Sequence, residues 1–142
     1  AQVELAAERA RLADDVRGFP EGFATIVGER GITLSGGQRQ RTALGRALLV
    51  SAPVLVLDDA LASVDNNTAA AILESIRAQD GRTIVMISHQ LSAAAACDRI
   101  LVMDNGRIVQ QGHHNALIHA TGVYRRLWER EQAAGQLEGM AS

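Results

Sequence analysis

Pro53-Val54-Leu55-Val56-Leu57-Asp58-Asp59 is a proline-opened run of four apolar residues that ends on two acids. An uninterrupted apolar run of this length reads as a strand buried on both faces, the pattern of parallel sheets. Working outward from it, Asp65 or Asn66 can cap a helix from Thr68 to about Gln79, which Asp80-Gly81 stops. Thr83 to Ile87 is a second β-rich apolar strand, ending at Ser88-His89, and a short alanine-rich helix follows from about Ser92 to Ala96. Arg99 to Met103 and Arg107 to Gln111 flank Asp104-Asn105-Gly106, and Asn-Gly between two such runs signals a hairpin. Strands alternating with helices predict an α/β layered core.

Upstream, Gln2 to Val16 spaces Val3, Leu5, Ala6, Leu12 and Val16 among charges as a helix does, ending at Gly18 and Pro20. Gly18 to Gly31 holds four glycines and a proline and reads as a long loop, of a kind that in compact domains usually has a function. Ser35 is an N-cap residue for a helix running to about Val50. Downstream, Asn115 to about Ala134 predicts two short helices, with Tyr124 and Trp128 four residues apart and so able to pack one face onto the core.

Composition narrows the function classes. With 142 residues, 47% apolar and 21% charged, the chain has the make-up of an ordinary globular domain. Fourteen basic residues against 16 acids give a net charge of −2, so no nucleic-acid partner is expected on electrostatic grounds. The single cysteine, Cys97, has no internal partner for a disulfide. The longest apolar run, Ala47 to Leu57, is broken by Ser51 and Pro53 and is shorter than the roughly 20 residues of a spanning helix. Any membrane role is therefore expected from another domain or chain.

Two stretches carry chemistry. In Leu34-Ser35-Gly36-Gly37-Gln38, adjacent glycines at a helix start allow a close backbone approach, and the first-turn amides lack partners within the helix. With the helix dipole they suit a terminal phosphate, to which Ser35 can add a hydroxyl and Gln38 an amide. The same residues equally describe a serine-capped helix whose glycines serve close packing. Asp58, first after the strand, lies where α/β sheets bind ligands and suits a Mg²⁺ held with nucleotide phosphates, directly or through water. Asp59 is next, placed to orient an attacking water. Two solvated acids capping the next helix would look alike.

Leu34-Ser35-Gly36-Gly37-Gln38-Arg39-Gln40-Arg41 resembles, residue for residue, the signature of ATP-binding cassette (ABC) proteins. The resemblance settles both stretches. It implies a partial P-loop NTPase-like (RecA-like) layered core with part of a helical signature subdomain. On that view residues 1–50 hold the exporter loop and signature helix, 51–112 the ATPase core, and 113–142 the C-terminal helices. Thr25 to Gly31 resembles the family's exporter-specific loop, so Val27, Gly28, Glu29 and Arg30 are expected to couple to transmembrane domains. Ala62-Ser63-Val64-Asp65 is similar to the D-loop, giving Ser63 and Asp65 a role in communication between subunits. His89 matches the switch histidine that contacts the γ-phosphate. Arg39 and Arg41 are expected to be salt-bridged or solvated.

The resemblance implies ATP and Mg²⁺ as cofactors. It also implies a second nucleotide-binding domain as a partner, identical or different, and transmembrane domains in the same or a partner chain. The expected setting is the cytoplasmic face of the inner membrane. One departure is plain: the family's residue after the strand is glutamate, and here it is Asp59. Its carboxylate is drawn back by roughly 1 Å, a displacement that can cost about 10²-fold in rate. A weakly hydrolysing, regulatory half of a heterodimer is therefore a second reading. An ABC-type ATPase of DNA maintenance is a third, disfavoured by the exporter-like loop and the lack of heptads. No Gly-x-x-x-x-Gly-Lys-Ser/Thr segment occurs in the 142 residues. The isolated chain is accordingly expected to be inactive, and a phosphate-binding loop with about six membrane spans is expected upstream of Ala1.

Overall fold

The computed structural model describes residues 1–28, 32–78 and 81–140. The chain forms two compact units, Ala1–Ile87 and Ser88–Ser142.

The first unit opens with α1 (Gln2–Arg9) and α2 (Ala13–Arg17) where periodicity predicts one helix. The break is at Arg11, whose φ is 52°. Leu12 N–H reaches back to Ala7 O at 2.8 Å and Arg11 N–H to Glu8 O at 3.0 Å. This is the Schellman pattern that normally uses glycine, here built on an arginine, so no residue type announces it. α1 packs on α3 (Gly36–Leu49) through small residues. A Cβ added at Gly45 would lie 3.7 Å from both Ala10 Cβ and Ala6 O, so the helices meet almost backbone to backbone.

β1 (Val54–Asp58) and β2 (Thr83–Ile87) pair in parallel, from Val54 opposite Thr83 to Asp58 opposite Ile87. The crossover between them is α4 (Asn66–Arg77), whose inward stripe includes the fully buried Ile72 and Ile76. Burying such a side chain contributes about 1.5–3 kcal/mol. The expectation of a β1 buried on both faces is corrected. Leu55 and Leu57 are buried, whereas Val56 is 59% and Ile87 of β2 51% exposed. Within the described residues only one face of this pair is covered, so the strands alternate although their sequence does not. The predicted end of α4 near Gln79 and Asp80 lies outside the described residues.

The second unit is built on β3 (Ile100–Asp104) and β4 (Arg107–Gly112), an antiparallel hairpin. Asn105 and Gly106 at the turn have φ of 48° and 73°, the left-handed pair that a two-residue hairpin loop requires. A bulge follows Val102, with Val102 opposite Gln110 but Met103 opposite Ile108. α5 (Leu91–Ala95) precedes the hairpin, and α6 (His114–His119) and α7 (Val123–Met140) follow it. The core is Ile100, Val102, Leu117 and Tyr124. Tyr124 is 1% exposed, burial pushes its phenol up, and its hydroxyl shares a hydrogen bond with His114 Nδ1 at 2.9 Å. Trp128 meets the His114 ring edge-on at 4.5 Å. No helix among the described residues is long and apolar enough to cross a membrane.

Candidate nucleotide site

The start of α3 is organised by side chains three residues apart. Ser35, extended at ψ 167°, accepts the Gln38 N–H on its Oγ at 3.1 Å. Gln38 Oε1 in return accepts the Ser35 N–H at 2.9 Å, which completes a capping box. Arg39 N–H closes the first helical bond at Ser35 O, 2.9 Å. The amides of Gly36 and Gly37 stand outside this scheme among the described residues, at the positive end of a 14-residue helix.

The box is tied to α2. Gln38 Nε2 donates to Asp15 Oδ1 at 2.8 Å, and Asp15 Oδ2 accepts from Arg41 Nη2 at 2.7 Å. Arg41 and Asp15 keep only 17% and 25% of their side-chain surface, so this pair is well shielded from solvent. Arg41 is thus salt-bridged, whereas Arg39 turns back to donate to Leu34 O at 2.7 Å. Asp15 was not foreseen as part of the site. It sits among other charges on α2, and nothing in its spacing distinguishes it.

The glycines have a second partner. A Cβ at Gly37 would come within 3.0 Å of the Ser63 carbonyl oxygen, and one at Gly36 within 3.7 Å of Ser63 Cβ. The close approach that demands glycine at position 37 is therefore to the chain's own Ala62–Asp65 loop. Both glycines remain partly exposed. Gln40 completes the contact: its Oε1 accepts the Ser63 N–H at 2.8 Å and its Nε2 reaches Asp59 O at 3.4 Å. Sequence reading passed over Gln40, yet it lies three and four residues beyond Gly37 and Gly36. That spacing places it on the same helix face, which was the available signal.

Asp58 ends β1 with its side chain exposed, a hard oxygen donor of the kind Mg²⁺ takes alongside phosphate oxygens. Asp59 is held in the left-handed region at φ 45°, with its N–H on Ile87 O at 3.0 Å and its carbonyl taking the Ala62 N–H at 3.1 Å. Aspartate tolerates this conformation better than most residues, because its short polar side chain can hydrogen-bond the local backbone. Asp65 caps α4 by accepting the Thr68 N–H at 3.0 Å, and that bond holds its carboxyl below the ordinary carboxylate value of 3.8. Leu61 and Val64, both buried, pin the loop between the two acids.

The first unit thus links Ser35, Gly36, Gly37 and Gln38 at the start of α3 to Ser63 and the Asp59 carbonyl, through Gln40 and the close approach of Gly37. Asp58 ends β1 and Asp65 caps α4 on either side of that loop. His89, exposed, belongs to the second unit. In the glycine-rich loop Val27 is 49% exposed and Gly28 has φ +113°. Glu29 and Arg30 lie outside the described residues.

A glycine-opened, serine-capped helix beside a parallel strand that ends in two acids is an α/β arrangement chemically suited to a nucleotide phosphate. The ABC transporter family model matches residues 2–62. The multidrug resistance-like ATP-binding protein MdlA of Escherichia coli is 43% identical over 138 residues, 96% of this chain and 23% of that protein. An ATP-dependent lipid A-core flippase of Photobacterium profundum is 45% identical over 128 residues, 89% of this chain and 22% of that protein. Among solved structures, a bacterial Atm1-family ABC exporter with ATP bound superposes with a TM-score of 0.84 at 42% identity, over 92% of this chain and 23% of that one. The chain is homologous to the ATP-binding regions of ABC exporters of the multidrug and Atm1 types. It spans under a quarter of the length of these relatives.

Proposed function

We propose that the chain is a working portion of an ATP-hydrolysing module that energises a membrane exporter from the cytoplasmic face of the inner membrane. The observation that carries the reading is the start of α3, where Ser35 and Gln38 are locked together while the Gly36 and Gly37 amides remain outside the cap. Those amides, with the Ser35 hydroxyl hydrogen, suit the outermost phosphate of ATP held by a second nucleotide-binding domain. Gln38 contributes through the turn it fixes and through its second amide hydrogen. Asp58 would hold Mg²⁺, whose chemistry is to bridge and neutralise phosphate oxygens. Asp59 orients the attacking water, and His89 contacts the γ-phosphate. Ser63 and Asp65 face the partner domain, and Val27 to Arg30 the transmembrane domains. The chain by itself, with no phosphate-binding-loop sequence, hydrolyses no ATP.

The test is made in the complete transporter in lipid vesicles. Asp59→Asn is expected to lower kcat by about 10²-fold or more with ATP affinity retained, as loss of a water-orienting group does. Unchanged turnover removes Asp59 from the mechanism. The second reading, a weakly hydrolysing half of a heterodimer, is favoured by Asp59 itself. Asp59→Glu raises turnover if the shortened side chain limits the rate, and leaves it unchanged if other features do.

A further inference from the structure

We infer that Glu131, on the C-terminal helix α7, is a positioning residue for His89. The inference rests on the assignment of His89 made above.

α5 starts two residues after His89, and its own N-cap, Gln90, makes no side-chain cap bond. The missing acceptor comes from 40 residues away. Glu131 Oε2 accepts the Leu91 N–H at 2.9 Å and Oε1 the Ser92 N–H at 3.1 Å. One carboxylate thus spans the first two free amides of the helix, a charge-assisted arrangement at the end where the helix dipole favours a negative charge. Just before His89, Ser88 Oγ accepts the Gln90 N–H at 3.0 Å. The backbone on the C-terminal side of His89 is therefore held at three consecutive amides, those of residues 90, 91 and 92, two of them by Glu131.

The platform that presents Glu131 is rigid. Tyr124, Trp128 and Glu131 follow one another at four and three residues along one face of α7. Tyr124 is buried, its N–H bonds Gln110 Oε1 at 3.0 Å, and its phenol and Trp128 both engage His114. Gly122, just before α7, lies directly against the Gln110 side-chain amide. A carboxylate fixed this way sets the direction in which the chain leaves His89. A histidine that must meet a phosphate oxygen needs that direction to within a fraction of an ångström.

The experiment uses the complete transporter in lipid vesicles with Glu131→Ala, Glu131→Gln and His89→Ala. Glu131→Ala is expected to lower kcat about tenfold with KM for ATP unchanged, the signature of a lost geometry felt mainly in the transition state. Glu131→Gln, which keeps one acceptor oxygen but loses the second acceptor and the charge, should recover only part of that loss. Amide hydrogen exchange at residues 90–92 should speed up in Glu131→Ala and less in Glu131→Gln. If His89→Ala impairs turnover while Glu131→Ala leaves kcat intact, or if exchange at 90–92 is unmoved, the role of Glu131 is overturned and that of His89 stands. If His89→Ala itself turns over normally, the assignment of His89 fails and the inference with it.

Discussion

Two helices in this chain begin beside residues assigned to the nucleotide, and they are capped in opposite ways. α3 carries its own cap: Ser35 and Gln38, three residues apart, satisfy one another at 3.1 and 2.9 Å. α5 borrows its cap from Glu131 on α7, at 2.9 and 3.1 Å. A local cap can form as soon as the first turn does, and its two bonds need no distant element, although here Gln38 is also tied to Asp15 of α2. A remote cap exists only when α7 is docked. The start of α3 is thus a fixed surface, whereas the start of α5 makes the geometry near His89 depend on the docking of α7.

The largest effect that would break this comparison is at Gly37. A methyl there meets the Ser63 carbonyl at 3.0 Å, and a backbone oxygen has little room to yield. Gly37→Ala is expected to cost about 1–3 kcal/mol, as overpacking does, and to lower ATP turnover by about 10²-fold through the displaced helix start. Gly36→Ala has ordinary contact space at 3.7 Å and should be near neutral in stability. Measuring both by denaturant midpoint and by turnover checks the contrast. Equal effects would mean that the approach to Ser63 is not what selects glycine at position 37.

Next in size is the cap itself. Ser35→Ala removes the oxygen that accepts the Gln38 N–H and should cost about 1 kcal/mol. Gln40→Ala, which removes the acceptor of the Ser63 N–H and one of the donors to the Asp59 carbonyl, should cost about 0.5–1.5 kcal/mol. The two sharpen the comparison differently. Ser35→Ala loosens the helix start, while Gln40→Ala leaves the cap whole and loosens only its tie to the Ala62–Asp65 loop. Denaturant midpoints separate them from wild type. Faster hydrogen exchange at Ser63 in Gln40→Ala alone is expected.

What could be read in the sequence follows the same division. Ser35 as a cap, the Asn105-Gly106 turn and the strands at 54–58 and 83–87 depend on neighbours within a few residues, and each was legible. Ser35, Gly36 and Gly37 were proposed for the site from the same short-range pattern, although the packing demand on Gly37 comes from Ser63, 26 positions later. Asp15, Gln40 and Glu131 act across 23 to 40 residues of chain, where only the fold decides which charge or amide arrives. The break between α1 and α2 was illegible for another reason. Its left-handed residue is Arg11, so the usual glycine signal is missing. The exposure of Val54, Val56, Val85 and Ile87 was hidden because an all-apolar run does not say which of its faces is covered.

The smallest expected effect concerns the third capped helix, α4, whose cap is local like that of α3 but carries a charge. Asp65 accepts the Thr68 N–H at 3.0 Å, and this bond holds its pKa below the ordinary 3.8. Above 3.8 the carboxylate is ionised in both folded and unfolded chains, and its contribution to stability is fully present. As pH falls below that value the unfolded chain takes up a proton that the folded chain does not. The contribution therefore declines and is gone once pH passes the lowered folded value. Asp65→Asn keeps a capping oxygen but cannot titrate. The gap in denaturant midpoint between wild type and Asp65→Asn should accordingly be constant from pH 7 to about 5 and shift against the wild type from about 4 downward. Ser35→Ala, whose cap is neutral, should show no such turning point relative to wild type. A constant gap between wild type and Asp65→Asn across the whole range would mean that the charge of Asp65 plays no part in capping α4.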